Sequence, residues 1–161
     1  LNQIAKRVTL KQIRRAVRLV NKADLEPRGS FILGLPTESL KDSLQTIMFA
    51  LSLPLKQAKF GLATPYPGTE LWNIALAEGQ VKDKGEDWNR FTQMAAYTKF
   101  SPSYIPKGRK ASELIFLQKF ANMIFYFKPS VVLMFLKRIK GFDDFKYFLK
   151  SVSKFIIGSI K

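Results

Sequence analysis

The chain has 161 residues, is 47% hydrophobic and carries a formal net charge of +15 at pH 7. That length holds one domain, or one and a small appendage, with apolar residues enough for a core. The sequence has no cysteine and no histidine, which excludes a thiolate-ligated metal site, a disulfide framework and a His-based triad built from these residues alone.

The charge is unevenly placed. Residues 1–28 carry a net +6, residues 29–100 are neutral, and residues 101–161 carry a net +9. A basic flank is first of all a solvated surface, with attraction to a membrane surface or to nucleic acid as the functional alternatives. The sequence begins at Leu1 and shows neither a signal peptide nor an apolar span of about 20 residues. The expectation is a segment of a longer polypeptide that is cytoplasmic or lies peripherally at the inner face of a membrane.

Residues 1–22 read as a helix. Thr9 and Gln12 have the spacing of a capping box, and Leu10, Ile13, Val17 and Val20 form one apolar stripe. Lys11, Arg14, Arg15 and Arg18 line the other side as a solvated face. Residues 29–35 are apolar and too short for a helix, which predicts a strand buried on both faces of a parallel sheet. Gly34 and Pro36 end it, and glycine there lets backbone approach a bound molecule. Thr37, Glu38 and Ser39 supply caps and a first-turn negative charge for the next helix. That helix shows an apolar face of Leu40, Leu44, Ile47, Met48 and Leu51, with Pro54 after its end.

A second strand is predicted over Phe60–Ala63. Pro65 and Pro67 then hold Tyr66 on a stiff loop, and Thr69 caps a helix that stops near Gly79. Strand, loop, helix, strand, loop makes a βαβ unit whose loops leave the carboxyl ends of the strands, where ligands sit in parallel α/β folds. Residues 81–90 are polar with Trp88 as an anchor, and residues 91–108 are irregular. From Ala111 a helix presents Leu114, Leu117, Phe120, Ala121, Ile124 and Phe127. Pro129 starts another in a favoured first-turn position, with Val132, Phe135, Leu136 and Ile139 apolar and Gly141 ending it. Asp143 or Asp144 caps a last basic, Phe-rich helix. Such helices either dock on a core or lie in a membrane interface.

The stretch Gly29-Ser30-Phe31-Ile32-Leu33-Gly34-Leu35-Pro36-Thr37-Glu38-Ser39, followed by Thr64-Pro65-Tyr66-Pro67-Gly68-Thr69-Glu70-Leu71, resembles the radical S-adenosylmethionine enzymes. The likeness is greatest to their cobalamin-binding subgroup, which includes anaerobic Mg-protoporphyrin ester cyclase-like and lipid-modifying members. In that family the segments read approximately G-x-F-I-x-G-L-P-G-E-T and T-P-Y-P-G-T-x-L. The flanks are similar too: Ile4 to Thr9 before the first strand, Asp87-Trp88 to Phe91, and Phe125-Tyr126-Phe127-Lys128-Pro129. Thr37 departs from the pattern by standing where the subgroup has glycine.

This resemblance implies an α/β chain forming the last strands and helices of a partial (β/α)6 TIM-like barrel. Residues 1–80 would be the carboxy-terminal part of the barrel, 81–110 an irregular connector, and 111–161 a basic helical extension. It implies an S-adenosylmethionine site in which Ile32, Gly34, Leu35 and Pro36 meet the adenine, while Leu62, Ala63 and Thr64 help enclose the nucleoside. Strand-end backbone and aliphatic side chains suit adenine's flat apolar face and polar edge.

The intact enzyme would form a 5′-deoxyadenosyl radical and modify an unactivated carbon, by cyclisation or by methyl transfer with cobalamin. The CxxxCxxC segment that holds the family's [4Fe–4S] cluster and the cobalamin domain are not in this sequence, so this chain by itself should be inactive. No residue here is expected to be catalytic or to bind metal. The partners implied are the remainder of the barrel, a small-molecule substrate of lipid-like or tetrapyrrole type, and peripheral membrane contact through 111–161. Tyr66 is expected to pack under its loop and Glu38 to cap its helix. A tRNA-methylthiolating enzyme is disfavoured because the loop at 65–69 lacks that family's arginine. The competing non-enzymatic reading is a basic helical module binding anionic membrane or nucleic acid, nucleic acid being the less favoured.

Overall fold

The structure is a computed structural model that describes residues 8–82, 87–137, 139, 141 and 146. Helix α1 spans Leu10–Lys22. Both halves of its capping box form: the Thr9 N–H donates to Gln12 Oε1 at 2.7 Å and the Gln12 N–H donates to Thr9 Oγ1 at 3.2 Å. Ile13 and Val17 rest on the core, while Leu10 is exposed and no residue of α1 is fully buried. The helix is tied down at its end, where Asn21 Nδ2 donates to the Pro54 carbonyl at 2.8 Å.

Strands β1 (Arg28–Leu33) and β2 (Gln57–Leu62) pair in parallel, from Arg28 opposite Gln57 to Leu33 opposite Leu62. Helix α2 (Leu40–Ser52) makes the crossover. The α/β character and the βαβ unit are therefore as expected. Among the described residues the sheet has two strands and no barrel is formed.

Two expectations about this unit are corrected. The first strand is not buried on both faces: Gly29, Phe31 and Leu33 point toward the helices, whereas Arg28, Ser30 and Ile32 alternate outward and are exposed. The apolar face assigned to α2 is also rotated. Ser43, Ile47 and Ala50 are buried, and Leu40, Leu44 and Met48 are exposed one turn apart. Every apolar residue on a helix adds to a periodic pattern, and only the neighbours decide which side is covered.

Helix α3 (Glu70–Ala77) follows β2, with Thr69 Oγ1 accepting from the Trp72 N–H at 3.2 Å as its cap. Irregular chain then leads to α4 (Ala111–Tyr126) and α5 (Pro129–Lys137). The predicted face of α4 forms: Leu114, Leu117 and Ala121 are buried and Phe120 and Ile124 pack against the core, joined by Gln118, Asn122 and Phe125, while Phe127, just past the helix, is exposed. The helix expected beyond Gly141 lies outside the described residues apart from Lys146.

One core joins the inner face of the sheet to α2 and α4 through Leu33, Phe60, Leu62, Ile47, Leu114 and Phe125. Phe60 is its centre, stacked on Phe31 at 5.2 Å and edge-on to Phe125 at 6.3 Å. A second, smaller core gathers Ala63, Trp72, Ala75, Val81 and Tyr104. Trp88 anchors there by stacking on Trp72 at 6.2 Å while keeping its outer face in solvent. Gln80 clasps the irregular segment: its Nε2 donates to the Ile105 carbonyl at 2.9 Å and its Oε1 accepts from the Ile105 N–H at 2.8 Å.

Candidate ligand crevice at the strand ends

The carboxyl ends of β1 and β2 lie side by side, because the Ala63 N–H donates to the Leu33 carbonyl at 2.8 Å and extends the ladder past the last paired residues. The two loops singled out by sequence leave from this point. Gly34 turns the first with φ +78°, in the left-handed region that favours glycine. A Cβ there would stand 3.2 Å from the Leu114 side chain, so backbone and α4 meet closely. Thr37 has φ +63°. The resembling motif has glycine at that place, and this chain keeps the left-handed turn with a β-branched residue at a cost of roughly 1 kcal/mol.

Glu38 does not cap α2. Ser39 does: its Oγ accepts from the Asp42 N–H at 3.2 Å, and Asp42 Oδ2 accepts from the Ser39 N–H at 3.0 Å. The Ser39 hydroxyl and, second, its N–H hold the Asp42 carboxyl below its ordinary value. Glu38 instead braces the loop. Its Oε2 accepts from the Leu35 N–H at 3.0 Å, its Oε1 accepts from the Ser43 hydroxyl, and its own N–H returns to the Leu35 carbonyl at 3.0 Å. Arg109 locks the brace from outside, donating through Nη1 to the Glu38 carbonyl at 3.0 Å and pairing with Glu113 at 2.8 Å.

In the second loop Pro65 is fully buried and Tyr66 is exposed, so the proline packs rather than the tyrosine. The Thr69 hydroxyl donates to the Tyr66 carbonyl at 2.6 Å, which fixes the loop to the start of α3.

The residues named from sequence are thus brought together, with different surfaces to offer. Ile32 is 44% exposed on the open face of the sheet. Gly34, Leu35 and Pro36 form the first loop, with the Leu35 amide already engaged by Glu38. The Leu62 side chain lies in the helix-side core and Ala63 lies in the smaller core. Thr64 is buried, and its hydroxyl turns back to donate to the Leu62 carbonyl at 3.1 Å. Residues 62–64 and Gly34 are therefore buried, and Ile32 is the accessible one of these residues.

Two glutamines escaped the sequence reading. Gln118 is fully buried. Its Nε2 donates to the carbonyls of Phe60 at 2.8 Å and Gln93 at 2.6 Å, and its Oε1 accepts from the Ala96 N–H at 3.0 Å. The Gln93 carbonyl also accepts from the Leu62 N–H at 2.8 Å. At the other end of the strand the Tyr126 hydroxyl donates to the Ala58 carbonyl at 3.0 Å, and burial raises its pKa so that it stays a donor. The outer edge of β2 is sealed by these bonds. Among the described residues no hydrogen bond reaches the other edge of β1.

At the strand ends the open face of the sheet presents the exposed aliphatic Ile32, while Gly34 is buried against Leu114. The chain has no cysteine, and the described residues hold no group of three metal-ligating side chains. These residues do not fit an iron–sulfur cluster.

The chain is of the α/β class, with a two-stranded parallel sheet among the described residues. No family model matches it. It is 33% identical over 142 residues to an uncharacterized methyltransferase of Pyrococcus horikoshii; the matched region is 88% of this chain and 29% of that relative. The chain thus spans less than a third of the length of the protein it matches.

Proposed function

We propose that this chain is the nucleoside-facing part of an S-adenosylmethionine-dependent methyltransferase of the radical type. The observation that carries the reading is the junction of the two motif loops through the Ala63–Leu33 hydrogen bond, with Gly34 in a left-handed turn and Ile32 exposed beside it. The likeness to a methyltransferase of Pyrococcus horikoshii supports methyl transfer, and the G-x-F-I-x-G-L-P and T-P-Y-P-G-T pattern supports the radical class.

S-adenosylmethionine, when bound, supplies a transferable methyl group and a reducible sulfonium. Within that site Ile32 covers the apolar face of the adenine, Gly34 lets the loop turn tightly against Leu114 of α4, and the Glu38 brace keeps the loop in place. Electron delivery to a sulfonium needs a low-potential centre. This chain has no thiolate for one, so a [4Fe–4S] cluster and any cobalamin would be held by other residues of the polypeptide. The open edge of β1 is where a further strand of the same polypeptide pairs.

The test uses the intact natural polypeptide, purified anaerobically and incubated with S-adenosylmethionine and a strong reductant. Formation of 5′-deoxyadenosine supports the radical reading. S-adenosylhomocysteine as sole product points to ordinary methyl transfer, and failure to bind S-adenosylmethionine overturns the site.

A second reading has its own observation. Phe116, Met123 and Phe127 are exposed along α4, with Leu133 and Leu136 on α5, in a region of net positive charge. Among the described residues no single helix is long and apolar enough to cross a membrane, and α4 and α5 are bent by 58°. Such a surface suits peripheral contact with anionic lipid. Flotation with anionic but not neutral vesicles supports it; no flotation at low salt removes it.

A further inference from the structure

Gly61 sits within β2 opposite Ile32, and glycine inside a strand marks a close approach. The approaching group is Gln93. A Cβ on Gly61 would lie 3.2 Å from Gln93 Cβ and 3.3 Å from Gln93 Oε1, so the carboxamide lies over the strand on the open face. The Gln93 main chain is fixed at the sealed edge of β2 by the Leu62 and Gln118 bonds. Its side chain is therefore delivered from a rigid point. Among the described residues that carboxamide has no hydrogen-bond partner, and it lies beside the exposed Ile32. An amide so placed has one donor pair and one acceptor to offer.

We infer that Gln93 is a binding residue of the strand-end crevice, using its carboxamide to hydrogen-bond the polar edge of the adenine whose flat face rests on Ile32. The inference rests on the S-adenosylmethionine reading and adds to it a residue from outside both motifs. The chemistry is complementary: a carboxamide pairs its N–H and C=O with the acceptor and donor on an adenine edge. Gly61 has a role in the same contact, since it leaves room for the carboxamide to lie flat.

The experiment is equilibrium dialysis of S-adenosylmethionine against the intact natural polypeptide without reductant. Gln93→Met keeps the side-chain length and removes the hydrogen bonds, and it should weaken binding about three- to tenfold. Gly61→Ala, which pushes the carboxamide aside, should weaken binding in the same range, and the double variant should be little worse than either single one. Thermal melts like that of the unaltered protein show that the fold is retained. If the unaltered protein binds and Gln93→Met binds equally well, the inference about Gln93 fails while the site stands. If the unaltered protein does not bind at all, the S-adenosylmethionine reading falls and takes the inference with it.

Discussion

Strands β1 and β2 are equal in length and paired along their whole extent, yet their surroundings are opposite. Three outward polar groups of β2 are taken up: the Ala58 carbonyl by Tyr126, the Phe60 carbonyl by Gln118, and the Leu62 N–H by the Gln93 carbonyl. β1 has no such cover on its outer edge, and its outward residues Arg28, Ser30 and Ile32 are exposed. An edge sealed by side chains is the end of a sheet, because it leaves no ladder to extend. An edge left bare, beside an exposed apolar Ile32, is a surface that expects company. The contrast teaches which edge of the pair this chain covers with its own side chains and which edge the described residues leave bare.

The largest effect is expected on the covered side. Phe60→Ala empties the centre of the main core and should destabilise by about 4 kcal/mol, read from urea unfolding of the intact natural polypeptide. Gln118→Leu should come next, at roughly 3 kcal/mol, because it strands the Phe60 carbonyl and the Ala96 N–H without partners. A loss below about 0.5 kcal/mol for Gln118→Leu would show that the edge of β2 is not held as described.

On the bare side the expectation reverses. Ile32→Glu should change stability by no more than about 0.5 kcal/mol. It should nevertheless abolish S-adenosylmethionine binding, by placing a carboxylate against the adenine face. A binding-neutral Ile32→Glu would break the comparison, since the open face would then have no ligand to meet.

The smallest effect concerns the start of α2. The Asp42 carboxyl is held below its ordinary value of 3.8, so the folded state favours its ionised form. That stabilisation is present at neutral pH and disappears as the pH falls below about 4. Acid unfolding of the unaltered protein should show this increment, and Ser39→Ala should lack it.

Local chemistry was legible in residues that act on their own neighbours. The Thr9–Gln12 box, the Ser39 and Thr69 caps, the glycine turn at 34, and the proline at the start of α5 all form where their spacing places them. The convergence of the two motif loops was legible too, because a βαβ unit puts both strand ends on one side. The face of α2 was not. Leu40, Leu44 and Met48 satisfy the same period as Ile47 and Ala50, and periodicity cannot say which of two apolar stripes will be covered. Gln118 and Gln93 were invisible for a related reason: a glutamine in a helix or a loop has no local partner to announce it.

The sequence alone determined the element order, the caps, the parallel pair and the side of the sheet from which the two motif loops leave, since each follows from interactions between residues a few places apart or from the rule that parallel strands need a crossover. Tertiary structure alone decided that β2 is sealed and β1 is bare, that Glu38 braces a loop instead of capping a helix, and that Gln93 lies over Gly61. Each of those depends on groups tens of residues apart meeting at hydrogen-bond or van der Waals distance, and no local pattern encodes such a meeting.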